Sequence, residues 1–257
     1  MTVWFVIAVA VLGGLVLFLI HELRRPVTTP RGSRWVKRVR IGLDVLVLLC
    51  ACLVFWGFFV EPNRLVVRHQ TIGIAQWPKQ FDGLRIAVIA DIHAGSWFID
   101  EAKLRKIVEQ TNQLQPEMIV ILGDYIAGDG RRHQVRIAPE VFGPILKDLH
   151  APLGVYSVLG NHDWWFDGLR VRRVLEQNGI KVLDNEALRV DARGGSLWLV
   201  GLADLWTRTQ LVEETLAQVP PGAPLIALAH NPDVFPRLPS QVPLLLAAHT
   251  HGWQVRF

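Results

Sequence analysis

Five apolar runs in this chain each end on a short polar island, and the order of those islands constrains the fold more than any other feature. The runs cover residues 84–90, 118–122, 155–159, 225–229 and 244–248. The islands that follow are Asp91-Ile92-His93, Gly123-Asp124, Gly160-Asn161-His162-Asp163, His230-Asn231 and His249-Thr250-His251. Each run has strand length, is rich in Val, Ile and Leu, and does not alternate with polar residues, which is the pattern of a strand buried on both faces. Such strands belong to α/β sheets, whose ligand sites lie beyond the carboxyl ends of the strands. One sheet edge then collects Asp, His and Asn side chains of the types that hold divalent cations. Any single island is a weak signal, because capped turns and satisfied core histidines produce the same short pairs. The five together, in this order, describe a catalytic site. His21, His69, His133 and His150 lie outside the islands and are expected at the surface or in linkers.

Between the runs the pattern changes to helical. Asp100 is placed to N-cap a helix through Gln113 with Leu104, Ile107, Val108 and Thr111 on one face. Asp167 is expected to open another, closed by Asn178-Gly179. Residues 141–149 and 211–218 are shorter helical candidates. Strands near 181–183, 188–191 and 197–202 are expected in a second sheet. Residues 61–83 read as a connector, with Pro62, Pro78 and Asp82-Gly83 marking turns. Strands alternating with helices predict an α/β fold, and residues 61–257 have the length of one domain.

Read in order, the islands resemble the calcineurin-like metallophosphoesterases, whose pattern is D-x-H, GD, GNH(D/E), H and GHxH. The resemblance runs from Asp91 to His251. Gly-Asn-His-Asp-Trp-Trp at 160–165, Gly-Leu-Ala-Asp-Leu-Trp at 201–206 and Ala-His-Asn-Pro-Asp at 229–233 also resemble the bacterial membrane-associated branch. The resemblance implies a two-sheet α-β-β-α sandwich over residues 84–257. It also implies two divalent metal ions (Mn, Fe, Zn or Mg). Asp91, His93 and His251 would hold the first, Asn161, His230 and His249 the second, and Asp124 would bridge them. His162 is left unliganded to protonate the leaving oxygen.

The chemistry calls for these residue types. Two cations clamp the attacking and leaving oxygens of an in-line displacement at phosphorus and lower the pKa of bound water. A carboxylate can be shared between two ions and a neutral imidazole cannot, so the bridging position asks for Asp. Asp163 either orients a ligand from behind or caps the helix that follows.

The chain departs from the family pattern in places. Ala248 stands where the last motif has glycine, and Trp253 where a second glycine is common. Ala127 and Gly128 replace the second acid and the arginine of the phosphoprotein phosphatases, which argues against a protein Ser/Thr phosphatase. The chain stops six residues after His251, where relatives usually continue, so the domain is expected to be short at its C-terminus.

Residues 1–60 follow different rules. The stretches 3–20 and 41–60 are apolar and close to the ~20 residues that cross a bilayer core. A cleavable signal peptide is disfavoured, because no basic n-region precedes the first stretch and no small-x-small site follows it. The expectation is a membrane anchor of two transmembrane helices joined by a basic loop at 21–40. Residues 1–60 carry Arg24, Arg25, Arg31, Arg34, Lys37, Arg38 and Arg40 against Glu22 and Asp44, more than the whole chain's net charge of +4. The remainder is close to neutral, so no basic groove for nucleic acid is expected. Basic loops stay cytoplasmic, which predicts a multi-pass protein of the cell (inner) membrane with its catalytic domain on the extracytoplasmic side. Cys50 and Cys52, the only cysteines, do not face each other at helical spacing i, i+2 and are read as packing residues.

Five of the ten tryptophans, Trp97, Trp164, Trp165, Trp206 and Trp253, lie close to the motifs. They are read either as packing residues or as an apolar rim for a lipid-bearing substrate or for the bilayer surface. The function these observations predict is a membrane-anchored two-metal phosphoesterase. Its substrate is a phosphodiester, pyrophosphate or phosphomonoester, with a lipid-linked compound as one option. The first rival is a cytoplasmic-face pyrophosphatase of the UDP-2,3-diacylglucosamine type. The second, a non-catalytic membrane-bound scaffold, is disfavoured because all seven ligand positions and His162 are present.

Overall fold

The computed structural model describes residues 2–24, 34–128 and 135–251. The chain divides into two units, Met1–His69 and Gln70–Phe257. In the first unit, helix α1 (Thr2–Arg24) packs against α2 (Arg34–Phe55). A π-helical turn (Trp56–Val60) and a 3-10 turn (Glu61–Asn63) continue α2. Leu43, Leu46, Leu49 and Leu53 on α2 are exposed, the reverse of a water-soluble core. Among the described residues one run, Arg38–Asn63, is long and apolar enough to cross a membrane. The apolar part of α1 among the described residues is Val9–Leu19, so one of the two expected spans is found among the described residues. Cys50 and Cys52 are exposed free thiols on α2.

The second unit is built on two four-stranded sheets. Strands β1 (Ile86–Ile89), β2 (Met118–Ile121), β3 (Val155–Ser157) and β4 (Lys181–Val182) form the first sheet in that order, all parallel. Strands β5 (Glu186–Ala192), β6 (Gly195–Gly201), β7 (Leu225–Leu228) and β8 (Leu245–Leu246) form the second, with only the β5–β6 hairpin antiparallel. The 181–183 segment expected in the second sheet is therefore β4, the edge of the first. Its residues pair in parallel with Tyr156 and Ser157, a long-range choice that a two-residue strand does not announce.

Strand periodicity assigns each side chain to a layer. Met118 and Val120 of β2 point into an inter-sheet core with Leu197, Leu199, Ile226 and Leu228. Ile119 and Ile121 point the other way, onto helices α3 (Glu101–Gln113), α4 (Pro139–Leu146) and α5 (Asn161–Gln177). On the far side, Val200 and Leu225 meet α6 (Val212–Leu216) through Leu216. The layers are α-β-β-α, and β2 is buried on both faces as its unbroken apolar run requires. A full apolar side chain so placed stabilises the fold by roughly 1.5–3 kcal/mol.

Local signals set the helix ends. Asp100 caps α3 by accepting a hydrogen bond from Lys103 N at 2.8 Å, and Leu104, Val108 and Thr111 are buried. Helix α5 begins at Asn161, six residues before the expected start. The expectation rested on Asp167, which does act as a cap: its backbone leaves the helical region (φ −171°, ψ 83°) and its carboxylate accepts from Arg170 N at 3.1 Å. Two helical segments thus run on with a break at Asp167, and the earlier one carries the site residues.

The sheets are also joined at the end away from the site. Arg193, at the turn of the β5–β6 hairpin, makes a bidentate ion pair with Glu117 just before β2, with nitrogen–oxygen distances of 2.7–3.0 Å. It also donates to the Asp82 carbonyl oxygen at 2.6 Å.

Candidate metal centre

The carboxyl ends of β1, β2 and β3 in one sheet and of β7 and β8 in the other carry all five polar islands. Their side chains meet in three groups: Asp91, His93 and His251; His93, Asp124 and His162; and Asp124, His230 and His249. Asp124, 1 % exposed, sits in two of them. Its Oδ2 lies 3.2 Å from His230 Nε2, 3.7 Å from His93 Nε2 and 4.0 Å from His162 Nε2. Its Oδ1 accepts the His162 backbone N–H, at the N-terminus of α5, at 2.9 Å.

Hydrogen bonds to backbone carbonyls fix the tautomers, because a carbonyl oxygen can only accept. His93 Nδ1–H donates to Ile126 O at 3.0 Å and His230 Nδ1–H donates to Leu122 O at 2.7 Å. His162 Nδ1–H donates to Gly128 O. Each ring then presents Nε2 to the interior. His249 Nδ1 faces His230 Nε2 at 3.2 Å, and His251 Nε2 faces His93 Nε2 at 3.3 Å. Two ligand atoms each about 2.1 Å from one cation at a tetrahedral angle are about 3.4 Å apart, so both pairs have the spacing of shared ligands. Asn161 Oδ1, buried, finds no protein donor among the described residues. A buried amide oxygen with no partner is costly unless a cation or water completes it. The donor set of imidazole, carboxylate and amide oxygen fits Mn, Fe, Zn or Mg.

The backbone is unusual at the same places. Asp91, His93, Asp124, His249 and His251 all have positive φ, between 46° and 68°. Asp and His are among the few non-glycine residues found there with any frequency. Gly160 has a different reason to be glycine: a Cβ on it would collide with the Asp124 carboxyl group, and one on Gly123 with the Gly160 backbone. The two loops approach so closely that neither tolerates a side chain at the contact. Ala248 is not among the positive-φ residues, which is why alanine is accommodated where the family has glycine.

Asp163 joins two segments of the site. Fully buried, it reaches back to the residue before α5 by accepting from Gly160 N at 3.0 Å. It also accepts from Asp124 N, Tyr125 N and Ile126 N at 2.9, 2.8 and 3.1 Å. The loop that presents Asp124 is thereby clasped to the helix that presents Asn161 and His162.

The electrostatics follow from crowding. Burial pulls the His230 imidazole down, but its hydrogen bond to Asp124 and that carboxylate's charge outweigh it and push the group up to about 9. Burial lowers His93 despite the Asp124 carboxylate, and burial followed by the His230 charge lowers His249. Burial raises Asp124, yet His230 and His162 pull it below the usual carboxylate range. Burial, then the Asp124 charge, push Asp163 up to about 7. Imidazoles and carboxylates crowded this closely form a donor set that a cation would satisfy.

The tryptophans separate into two groups. Trp165 packs edge-on against His162 with ring centroids 4.9 Å apart, and Trp206 against His249 at 4.3 Å. The two indoles lie 6.3 Å from each other. Trp164, also expected at the rim, instead packs onto the helix-side core, with Arg208 over its ring at 4.5 Å. Trp97 lies under Arg136, whose guanidinium is 5.0 Å from the ring centroid. Trp253 lies outside the described residues. His21, His69 and His150 are exposed, and His133 is not among the described residues.

Two buried polar residues on this edge have no role in the sequence analysis. Asp204, after β6, and Asn231, after His230, are each 1 % exposed. Both stand in quoted motifs, but a lone acid or amide after a strand has no partner in sequence to mark it.

With fold and site described, the class follows. Residues 84–253 match the calcineurin-like phosphoesterase family, and the chain belongs to it. The family is one of metal-dependent hydrolases of phosphoester bonds. Among its relatives is the metallophosphoesterase YkuE of Bacillus subtilis, 30 % identical over 203 residues, covering 77 % of this chain and 68 % of that protein. A transmembrane protein with metallophosphoesterase domain from Danio rerio is 29 % identical over 228 residues, covering 81 % of this chain and 49 % of its own length. The UDP-2,3-diacylglucosamine pyrophosphatase LpxG of Chlamydia trachomatis is 25 % identical over 251 residues, covering 78 % and 73 %. The chain thus spans about half the length of the zebrafish protein.

Proposed function

We propose that this chain hydrolyses a phosphoester at a two-cation centre. Asp91, His93 and His251 hold one ion, Asn161, His230 and His249 the other, and Asp124 is shared. The observation that supports this most directly is the convergence of three imidazole Nε2 atoms on Asp124 Oδ2, beside the unpartnered Asn161 oxygen. When bound, such a pair of cations stabilises charge on the phosphoryl group and activates water near neutral pH. His162 protonates the leaving oxygen. Its Nδ1–H is committed to Gly128 O, so the proton leaves from Nε2, the nitrogen that faces Asp124 Oδ2 at 4.0 Å. Asp163 holds the Asp124 loop and the start of α5 in register while this happens.

Residues 1–60 act as a membrane anchor of two transmembrane helices, 61–83 as connector and 84–257 as the catalytic domain. The charge of the 21–40 segment supports a cytoplasmic loop and an extracytoplasmic active site. Exposed Trp165 and Trp206 beside the site histidines support a substrate with an apolar portion, such as a lipid-linked phosphoester. A second reading, favoured by the resemblance to LpxG, is pyrophosphate hydrolysis of a nucleotide-linked lipid on the cytoplasmic face. Fusions after residue 257 separate the two: active alkaline phosphatase supports the first, whereas fluorescent green fluorescent protein with inactive phosphatase supports the second.

The chemical claim is tested at His162. His162→Ala should lower kcat by about 10²–10⁴-fold with metal content unchanged. The loss should shrink for nitrophenyl esters, whose leaving groups need little protonation. Equal losses for nitrophenyl and alkyl esters would instead assign His162 a binding role.

A further inference from the structure

Two indoles stand in solvent beside the site histidines, where the core gains nothing from them. Trp165 is 39 % exposed and Trp206 57 % exposed. An exposed apolar patch rimmed by polar groups marks a surface that binds something. Trp165 follows His162 by three residues on α5, so both side chains leave the same face of the helix. Its ring meets the His162 ring edge-on, with centroids 4.9 Å apart. Trp206 stands on a turn after β6 that Asp204 caps, its Oδ2 accepting from Trp206 N, Thr207 N and Thr207 Oγ1 at 3.2, 2.9 and 2.6 Å. The Trp206 ring meets His249 at 4.3 Å. The two indole centroids are 6.3 Å apart, with planes inclined by 31°. A flat ring sandwiched between two others needs about 7 Å between them, twice the carbon–carbon contact of about 3.5 Å. The pair therefore leaves no slot for a nucleobase or other aromatic ring. The indoles meet each other instead and make one continuous ledge, which suits an extended alkyl chain.

We propose that Trp165 and Trp206 form the leaving-group subsite and select substrates whose leaving alcohol carries an alkyl chain. In an in-line displacement the leaving oxygen lies opposite the attacking one. The ledge is assigned on the reading that His162 protonates that leaving oxygen, which puts the oxygen at His162 Nε2. The group it carries then runs outward past the imidazole, and the side chain packed on that ring and open to solvent is Trp165. Trp165 is thus the specificity-determining residue, and Trp206 extends the ledge toward His249. An ester group that stays on phosphorus projects sideways from this line and gains nothing from either indole.

The test is which bond of methyl hexyl phosphate is cleaved by the full chain in detergent, with Mn²⁺ or Zn²⁺ supplied. The two alcohols leave with similar intrinsic ease, so the product ratio reads binding on the leaving side alone. In each cleavage a water oxygen joins phosphorus, the departing oxygen keeps the electron pair of its broken bond and takes the His162 proton, and a proton from water restores the ring. The wild type should release hexanol over methanol by roughly 10-fold or more, because the longer chain covers apolar surface only when it lies on the ledge. Trp165→Ala should bring the ratio close to one, and Trp206→Ala should lower it less. Trp165→Phe, which retains an apolar face, should keep most of the preference. An equimolar mixture of methyl phosphate and hexyl phosphate carries the same expectation if the chain cleaves only monoesters. The ratio is read from active molecules, so partial misfolding of a variant does not move it, and an indole that only propped His162 would slow both cleavages alike. A wild-type ratio near one, preferred release of methanol, or a ratio unchanged in Trp165→Ala would overturn the leaving-group subsite and leave the phosphoesterase reading intact. Absence of turnover with the diester and with both monoesters would overturn that reading itself.

Discussion

Asp124 and Asn161, which the first sheet delivers to the site, are each 1 % exposed, whereas the side chain of His251, delivered by the second, is 45 % exposed. The loops behind them differ in the same sense. Asp163 binds the first-sheet loops through four backbone N–H groups. Of the second-sheet histidines, His230 after β7 is fully buried, whereas His249 and His251 follow β8, a strand of two residues, and His249 N returns to the first sheet by donating to Asp91 Oδ1 at 3.2 Å. The first edge is organised by the fold itself, and the second takes part of its register from the first. Half of this site is therefore expected to be in place before any cation arrives.

That asymmetry is open to attack from several sides. The largest effect belongs to the residue both halves share. Asp124→Ala should weaken both metal sites together and lower kcat/KM by on the order of 10³-fold or more, the several kcal/mol that metal-borne charge stabilisation supplies. Metal analysis showing one ion retained at wild-type affinity would mean that the halves are independent. Next comes the clasp. Asp163→Ala leaves four buried N–H groups without an acceptor and should destabilise the second unit by about 3 kcal/mol in chemical denaturation. The same loss from His251→Ala would contradict the ordering of the two edges.

A pH experiment sharpens the comparison without a mutation. In chelator-treated protein His230, at about 9, lies above its unfolded value. It contributes stability that is fully present below about pH 6.5 and is lost as pH rises through about 9. Denaturation midpoints of the metal-free protein should fall across that window. The metal-loaded protein should not follow, because a ligating imidazole carries no such proton. The smallest effect is expected far from the site. Arg193→Ala removes a partly exposed ion pair to Glu117 and should cost about 1 kcal/mol in melting experiments, with metal affinity unchanged.

The motif residues were legible in the sequence because coordination chemistry dictates residue types, and five islands of the right types after five apolar runs leave little freedom. The sandwich was less so. Residues 181–183 were expected in the second sheet because they precede its strands, but membership of a sheet is decided by parallel pairing with Tyr156 and Ser157. The start of α5 was missed because Asp167 is a genuine cap, only of the segment's second half. Trp164 and Trp165 are adjacent and chemically identical, yet one enters the core and the other faces His162, a difference of about 100° around the helix. Asp204 was invisible because what marks it, an oxygen without a partner, exists only in three dimensions.

The positive φ values at Asp91, His93, Asp124, His249 and His251 bear on how such sites should be dissected. An alanine scan assumes that truncation deletes a side chain and nothing else. At these five positions alanine also forces a residue with no local polar group into the left-handed region, at a cost of roughly 1–2 kcal/mol. Each apparent loss of metal would then mix coordination with backbone refusal. Asparagine and glycine tolerate the conformation. A paired Asn and Gly series at Asp91 and Asp124 would therefore separate what the carboxylate gives the cation from what the residue gives the turn.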